Sequence, residues 1–160
     1  MKGQYIVQQG AVCKHTNFII SGCTKNFYID QQGQEHIVTF AIENWWSADL
    51  SSFITQTPSD FNVKCIEATE VIQFTYLNQD EIFQNIPKME TLFRKLLEKA
   101  LVSSQKRIVN NFSLSAKDQY LYFKKQYSTI EQRVPQYMVA SYLGISKEFL
   151  SKIKTELAKD

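Results

Sequence analysis

Apolar and polar positions alternate through the first half of the chain, and apolar positions recur every three to four residues through the second half. Six strand-sized runs, QYIV, NFII, KNFYI, EHIVTFA, NVKCIEA and EVIQFTY, lie between residue 4 and about residue 78. Gly10, Gly22, Gly33 and the segment Pro58-Ser59-Asp60 separate them, as expected for short strands joined by turns. KNFYI and EHIVTFA flank Asp30-Gln31-Gln32-Gly33-Gln34, which predicts a hairpin. Several short strands at this spacing predict a sandwich, barrel or jelly roll.

The period then changes. Asn78 to Phe83 reads as a short helix or turn, and Pro87 can open the next helix because its missing N–H would be unpaired there. From Lys88 to about Phe112, apolar residues recur at helical spacing, interrupted by Ser103-Ser104. Such a wide stripe predicts two seams, one against the strands and one against a second copy of the chain. Met89, Phe93, Leu96, Leu97, Ala100, Leu101 and Ile108 are therefore the expected homodimer contacts. Ser113 to Ala116 breaks the helix, with Ser115 and Asp118 at cap spacing for the next one. Tyr120, Leu121, Phe123 and Tyr127 are expected to form the core of a last domain.

The stretch PQYMVASYLGISKEFLSKI, Pro135 to Ile153, predicts two short helices and a tight turn. Val139, Ala140 and Leu143 share one face of the first helix. Gly144 sits where the chain reverses, because a left-handed residue costs glycine almost nothing. Ser146 offers an N-cap to the second helix. Phe149, Leu150, Ile153 and Leu157 are its expected buried stripe. Lys147, Glu148, Ser151, Lys152 and Thr155 are left facing outward. This is the helix-turn-helix pattern, in which the second helix enters the major groove; an αα-hairpin with a solvated face is the plainer alternative.

Composition changes this picture little. Of 160 residues, 44% are hydrophobic and 21% charged, as in an ordinary globular protein, and the net charge is +2. Eight basic residues face five acidic ones from Ser113 onward, and ten face eleven before it, so the small basic excess lies with the helix-turn-helix. No apolar run has membrane-helix length, and the amino terminus has no secretory pattern. Cys13, Cys23 and Cys65 lack paired spacing and read as reduced thiols of a cytoplasmic protein. They do not supply the four thiolates of an iron–sulfur cluster. His15 and His36 are isolated, and no Ser–His–Asp or Cys–His set suggests an enzyme. No cofactor or metal is expected.

The order of parts resembles a known family. IVQQGAVCKHTNFIISGCTKNFYIDQQGQEHIVTFAIENWW is similar to the β-roll of the cyclic-nucleotide-binding fold. The matching features are the Gly10 turn, the Phe18-Ile19-Ile20 strand, Gly22 and the Gly33 hairpin. With the long helix and the helix-turn-helix, the whole chain resembles the Crp/Fnr family of bacterial transcription regulators. Glu43-Asn44-Trp45-Trp46, Ser104-Gln105-Lys106-Arg107 and Ala140-Ser141-Tyr142-Leu143-Gly144-Ile145-Ser146 are similar to its Bacteroidetes branch. The resemblance implies an α+β chain. Its parts would be a double-stranded β-roll (1–87), a dimerisation helix (88–112) and a helix-turn-helix domain (113–160), hinged at Phe112-Ser113-Leu114. The family's N-terminal helix and first strand, and its C-terminal β-hairpin wing, have no counterpart here. Truncation and a naturally short form both remain open.

Cyclic-AMP-binding relatives carry a Gly-Glu pair whose acid takes the ribose hydroxyl, and an Arg for the cyclic phosphate. Here Gly-Glu is missing, Asp49 is the only acid in its place, and the Arg position falls near Ser59-Asp60. No Arg precedes Arg94, and Lys64 is the only nearby cation. A buried phosphate without a paired cation is poorly compensated, so cyclic AMP is not the expected effector. Trp45, Trp46 and Phe53 are expected to fill the pocket with Asp49 and Lys64 around them, and an apolar small-molecule effector stays open. Relatives place Arg, Glu and Arg on the groove-facing side of the recognition helix, where this chain has Lys147, Glu148 and Lys152. Lysine can donate to guanine and glutamate can accept from cytosine. Ser146 and Ser151 suit phosphates, and Gln136 and Lys154 are expected to add backbone contacts. The expected partners are double-stranded DNA and a second copy of the chain. A ligand-binding or protein-interaction module without DNA binding is the rival.

Overall fold

A computed structural model describes residues 1–159; Asp160 lies outside the described residues. The six expected strands form, and a short seventh joins them. They are β1 (Tyr5–Val7), β2 (His15–Ser21), β3 (Thr24–Ile29), β4 (Glu35–Ala41), β5 (Trp46–Ser47), β6 (Asn62–Cys65) and β7 (Glu70–Thr75). They make two antiparallel sheets, ordered β1-β6-β3-β4 and β5-β2-β7. The β3–β4 hairpin closes over Gly33, and the Asp30 carboxylate accepts from the amides of Gln32 and Gln34, both at 2.9 Å. His36 is not isolated: it lies 2.7 Å from Asp30 Oδ2 and stacks on Tyr28. Gly22 is required by close approach, since a Cβ there would lie 2.6 Å from Ala68 O and from Thr69 Cα.

The helices are α1 (Leu50–Thr55), α2 (Tyr76–Asn85), α3 (Pro87–Ser113), α4 (Ala116–Gln126), α5 (Ser128–Arg133), α6 (Gln136–Leu143) and α7 (Lys147–Leu157). The long helix α3 runs unbroken through Ser103-Ser104 to Ser113, so the chain bends at Leu114 and Ser115. Within that run Ser103 Oγ lies 3.0 Å from the Tyr127 hydroxyl. Ser115 caps α4 by accepting from Asp118 N at 3.2 Å. Pro135 is the N-cap residue of α6 rather than its first helical residue, with ψ at 145°. Gly144 ends α6 with φ at 69°, a conformation that strains any residue carrying a Cβ.

Two apolar clusters hold the fold. Val7, Cys13, Phe53 and Val63 fill part of the roll. The larger cluster joins Cys23, Phe27, Ile37 and Phe40 of the roll to Tyr120, Phe123, Ile130, Met138, Val139, Leu150 and Ile153 of the last four helices. The carboxy-terminal helices thus share one core with the β3–β4 side of the roll. Leu121, expected in that core, is 41% exposed, because one helical face cannot bury Tyr120, Leu121 and Phe123 together. All three cysteines are free and buried, and burial pushes the Cys23 thiol up to about 12.

Candidate functional site

The interior of the roll is polar. Thr16, Asn17, Thr24, Asn26, Ser47, Asp49, Ser52 and Ser59 are all buried. They satisfy one another: Thr24 Oγ1 meets Ser47 Oγ at 2.9 Å, and Asn17 Nδ2 donates to Ser47 O at 2.9 Å. Ser47 Oγ donates to Asn26 Oδ1 at 3.2 Å. Asp49 is the N-cap of α1 and accepts from Ser52 N at 3.1 Å. Its other oxygen accepts from Ser59 Oγ at 2.7 Å and from Asp60 N at 3.1 Å.

The five expected pocket residues do not converge. Only Asp49 and Phe53 are buried in the roll. Lys64 lies on the opposite face of β6 from Val63, its ammonium 4.6 Å from the centre of the Tyr5 ring. The two tryptophans diverge, as neighbours on an extended backbone do. Trp45 is 38% exposed and meets Tyr127 edge-on, whereas Trp46 packs between Phe18, Phe74 and Phe93. Trp46, Gln79, Phe83, Met89 and Phe93 line a small apolar crevice between the roll and α3. Trp46 Nε1 is buried without an acceptor among the described residues. The residues present do not fit a cyclic nucleotide: the Asp49 carboxylate is already bound, and no cation pairs with it among the described residues.

The α3 stripe divides in two. Met89, Phe93 and Leu96 are half-buried; Met89 and Phe93 line the crevice beside Trp46 and Phe83, and the Phe93 ring meets both of those rings. Met89 and Phe93 thus make contacts within the chain, at positions that the sequence assigned to a seam with a second copy. Leu97, Leu101 and Ile108 are 38%, 60% and 56% exposed, and Ala100 is also exposed. Val109 at 60% and Phe112 at 88% extend the exposed apolar strip; the sequence pattern carried both, but neither was assigned to the seam.

The helix-turn-helix forms where expected. Ser146 Oγ accepts from Phe149 N at 3.1 Å, so this hydroxyl is committed to capping α7. Leu150 and Ile153 are buried and Leu157 is half-buried. Lys147, Glu148, Ser151, Lys152 and Thr155 are exposed. Phe149, expected to be buried, is 47% exposed. Its direction differs from that of Leu150 by one residue's rotation, about 100°, and the core beneath is already filled. Lys154 is exposed but engaged, donating to Glu131 Oε1 at 3.1 Å with its ammonium 5.8 Å from the Tyr120 ring. Burial raises the pKa of Glu131, but hydrogen bonds from Tyr120 and Lys154 outweigh it and lower the net value. Gln136 opens α6 and is half-buried.

Sequence reasoning missed the contacts that seat this domain on the roll. Ser141 of α6 accepts from Ile37 N at 3.1 Å and donates to Glu35 O at 3.0 Å. Arg107 of α3 donates to Val38 O and to Tyr142 O, the latter at 2.9 Å, and stacks on the Tyr142 ring at 4.0 Å. Arg133 of α5 pairs with Glu43 through two bonds of 2.8 and 2.9 Å and also with Glu67. Those bonds and Gly22 N hold the Glu43 carboxyl down at about 2.

The chain thus combines a β-roll, a long helix with an exposed apolar strip and a capped helix-turn-helix. The cyclic nucleotide-binding domain model matches residues 1–86, and the chain belongs to that family. No curated protein matches its sequence. Solved structures do match. FixK2 from Bradyrhizobium japonicum superposes with a TM-score of 0.84 at 11% identity, covering 99% of this chain and 81% of the other. The c-di-GMP-responsive global regulator CLP from Xanthomonas campestris gives 0.80 at 15%, covering 99% and 84%. A protein assigned to the crp/fnr family of transcriptional regulators, from Eubacterium rectale, gives 0.74 at 13%, covering 98% and 75%. The whole chain therefore has the fold of the Crp/Fnr regulators. No helix among the described residues is long and apolar enough to cross a membrane.

Proposed function

We propose that the chain is a cytoplasmic DNA-binding transcription regulator of the Crp/Fnr type that acts as a homodimer on an inverted-repeat operator. The observation that carries this reading is α7. Its first turn is capped by Ser146, its apolar face is buried, and Lys147, Glu148, Ser151 and Lys152 all stand free for a groove. The exposed strip Leu97–Leu101–Ile108 on α3 supplies the seam for a second copy. Two recognition helices related by a two-fold axis read half-sites about one DNA turn apart, roughly 34 Å. Lys147 and Lys152 attract DNA and Glu148 discriminates, while Ser151 and the free end of α7 approach phosphates. The domain limits are taken as 1–87, 88–112 and 113–160, with α3 as the dimer helix. The effector is not cyclic AMP on this reading, since Asp49 already serves as a cap.

The test is duplex binding over a salt series. A regulator that neutralises phosphates shows log K falling linearly with log salt. Binding that is absent or independent of salt leaves the rival reading, a ligand-binding or protein-interaction roll.

A further inference from the structure

On the DNA-binding reading above, we propose that Phe149 reads a thymine methyl group in each half-site. Its backbone amide is fixed by the Ser146 cap, which puts it in the third position of α7. That is the first turn, the part of a recognition helix that meets base edges. The side chain is 47% exposed although Leu150 beside it is fully buried. Residues three and four apart on a helix are neighbours. Phe149 therefore sits between Lys152 on the outer face and Ile153 in the core.

The surroundings select the occupant. Lys152 neighbours the ring at i+3, and the positive end of the helix dipole lies at the same turn, so the partner surface is anionic. Within an anionic groove the apolar feature is the 5-methyl of thymine, which major-groove readers contact with apolar side chains. A ring held in the first turn of α7 can cover such a methyl while Glu148 and Lys152 take polar edges nearby. The base preference thus includes a thymine that lysine and glutamate cannot account for, because neither can tell its methyl from hydrogen.

The experiment removes that methyl alone. An operator is recovered by binding-site selection with the wild-type chain, and each thymine of one half-site is replaced in turn by deoxyuridine. Affinities are measured at one fixed salt concentration for wild type, Phe149→Ala and Phe149→Leu. At one thymine, deoxyuridine is expected to weaken wild-type binding about three- to fivefold, the effect of one buried methyl. Phe149→Leu keeps most of that sensitivity and Phe149→Ala loses it. If Phe149→Ala fails to fold, Phe149→Gln takes its place. A flat deoxyuridine scan on an operator that still binds, or unchanged sensitivity in Phe149→Ala or Phe149→Gln, overturns the assignment of Phe149 alone. Failure of the wild type to select any sequence overturns the DNA-binding reading with it.

Discussion

Ser59 Oγ donates to Asp49 Oδ2 at 2.7 Å inside the roll, joining the two segments where the sequence resemblance places a ribose-binding acid and a phosphate-binding arginine in cyclic-AMP-binding relatives. Both residues are buried, at 3% and 2% exposure. The carboxylate closes the loop onto the start of α1 rather than waiting for a sugar hydroxyl.

Cyclic AMP is therefore expected to bind no better than millimolar in calorimetry. A micromolar dissociation constant would show that Asp49 leaves Ser59 and finds a cation. Asp49→Ala should lower stability by about 1–2 kcal/mol, because it removes a helix cap and strands the Ser59 hydroxyl.

The exposed half of the α3 stripe predicts assembly. Leu97→Glu or Leu101→Glu should give monomers by light scattering and should weaken operator binding. Phe93→Ala should act differently, lowering the melting temperature while leaving the dimer intact. A monomeric wild type at micromolar concentration would refute the dimer.

Lys152→Ala should weaken binding by about 1–3 kcal/mol at selected sites if the lysine meets a base, and should weaken all sequences equally if it meets only phosphate. Glu148→Ala should keep or raise non-specific affinity while one half-site position loses its preference. Lys154→Ala should change stability more than DNA affinity, since this lysine is held by Glu131. Site selection at one salt concentration, beside thermal melts, separates the three.

Arg133 holds Glu43 ionised to about pH 2, below the ordinary value of 4.5. A depressed carboxylate stabilises the fold above its unfolded value and loses that contribution as pH falls through its folded value. The loss therefore falls between about pH 4.5 and 2. The pair is partly exposed, so its worth is about 1 kcal/mol after screening. Urea unfolding of wild type and Glu43→Gln should converge across that window. Parallel curves would mean the pair contributes nothing.

Period explains what the sequence made legible. The alternation in KNFYI and EHIVTFA and the three-to-four spacing from Met89 onward are local, and both produced the elements they predict. The caps at Ser115 and Ser146 were readable for the same reason, since donor and acceptor lie three residues apart. Phe149 and Leu121 were misplaced because an apolar residue beside a buried one looks identical in sequence, and only the filled core decides between them. The polar filling of the roll was hidden too, because Thr24, Asn26 and Ser47 resemble surface residues until strands bring them together. Ser141 finds Glu35 across 106 residues and Arg107 finds Val38 across 69, separations at which no spacing rule operates.

The outer strand β4 has one further consequence. Ser141 stands where the amide and carbonyl of a neighbouring strand would stand, and Arg107 takes the Val38 carbonyl on the same strand. Bare strand edges are templates for pairing with other chains. The seating of α6 therefore also guards solubility. Any motion that lifts the carboxy-terminal helices from the roll uncovers a strand able to recruit another molecule, so looseness at this joint should surface first as aggregation.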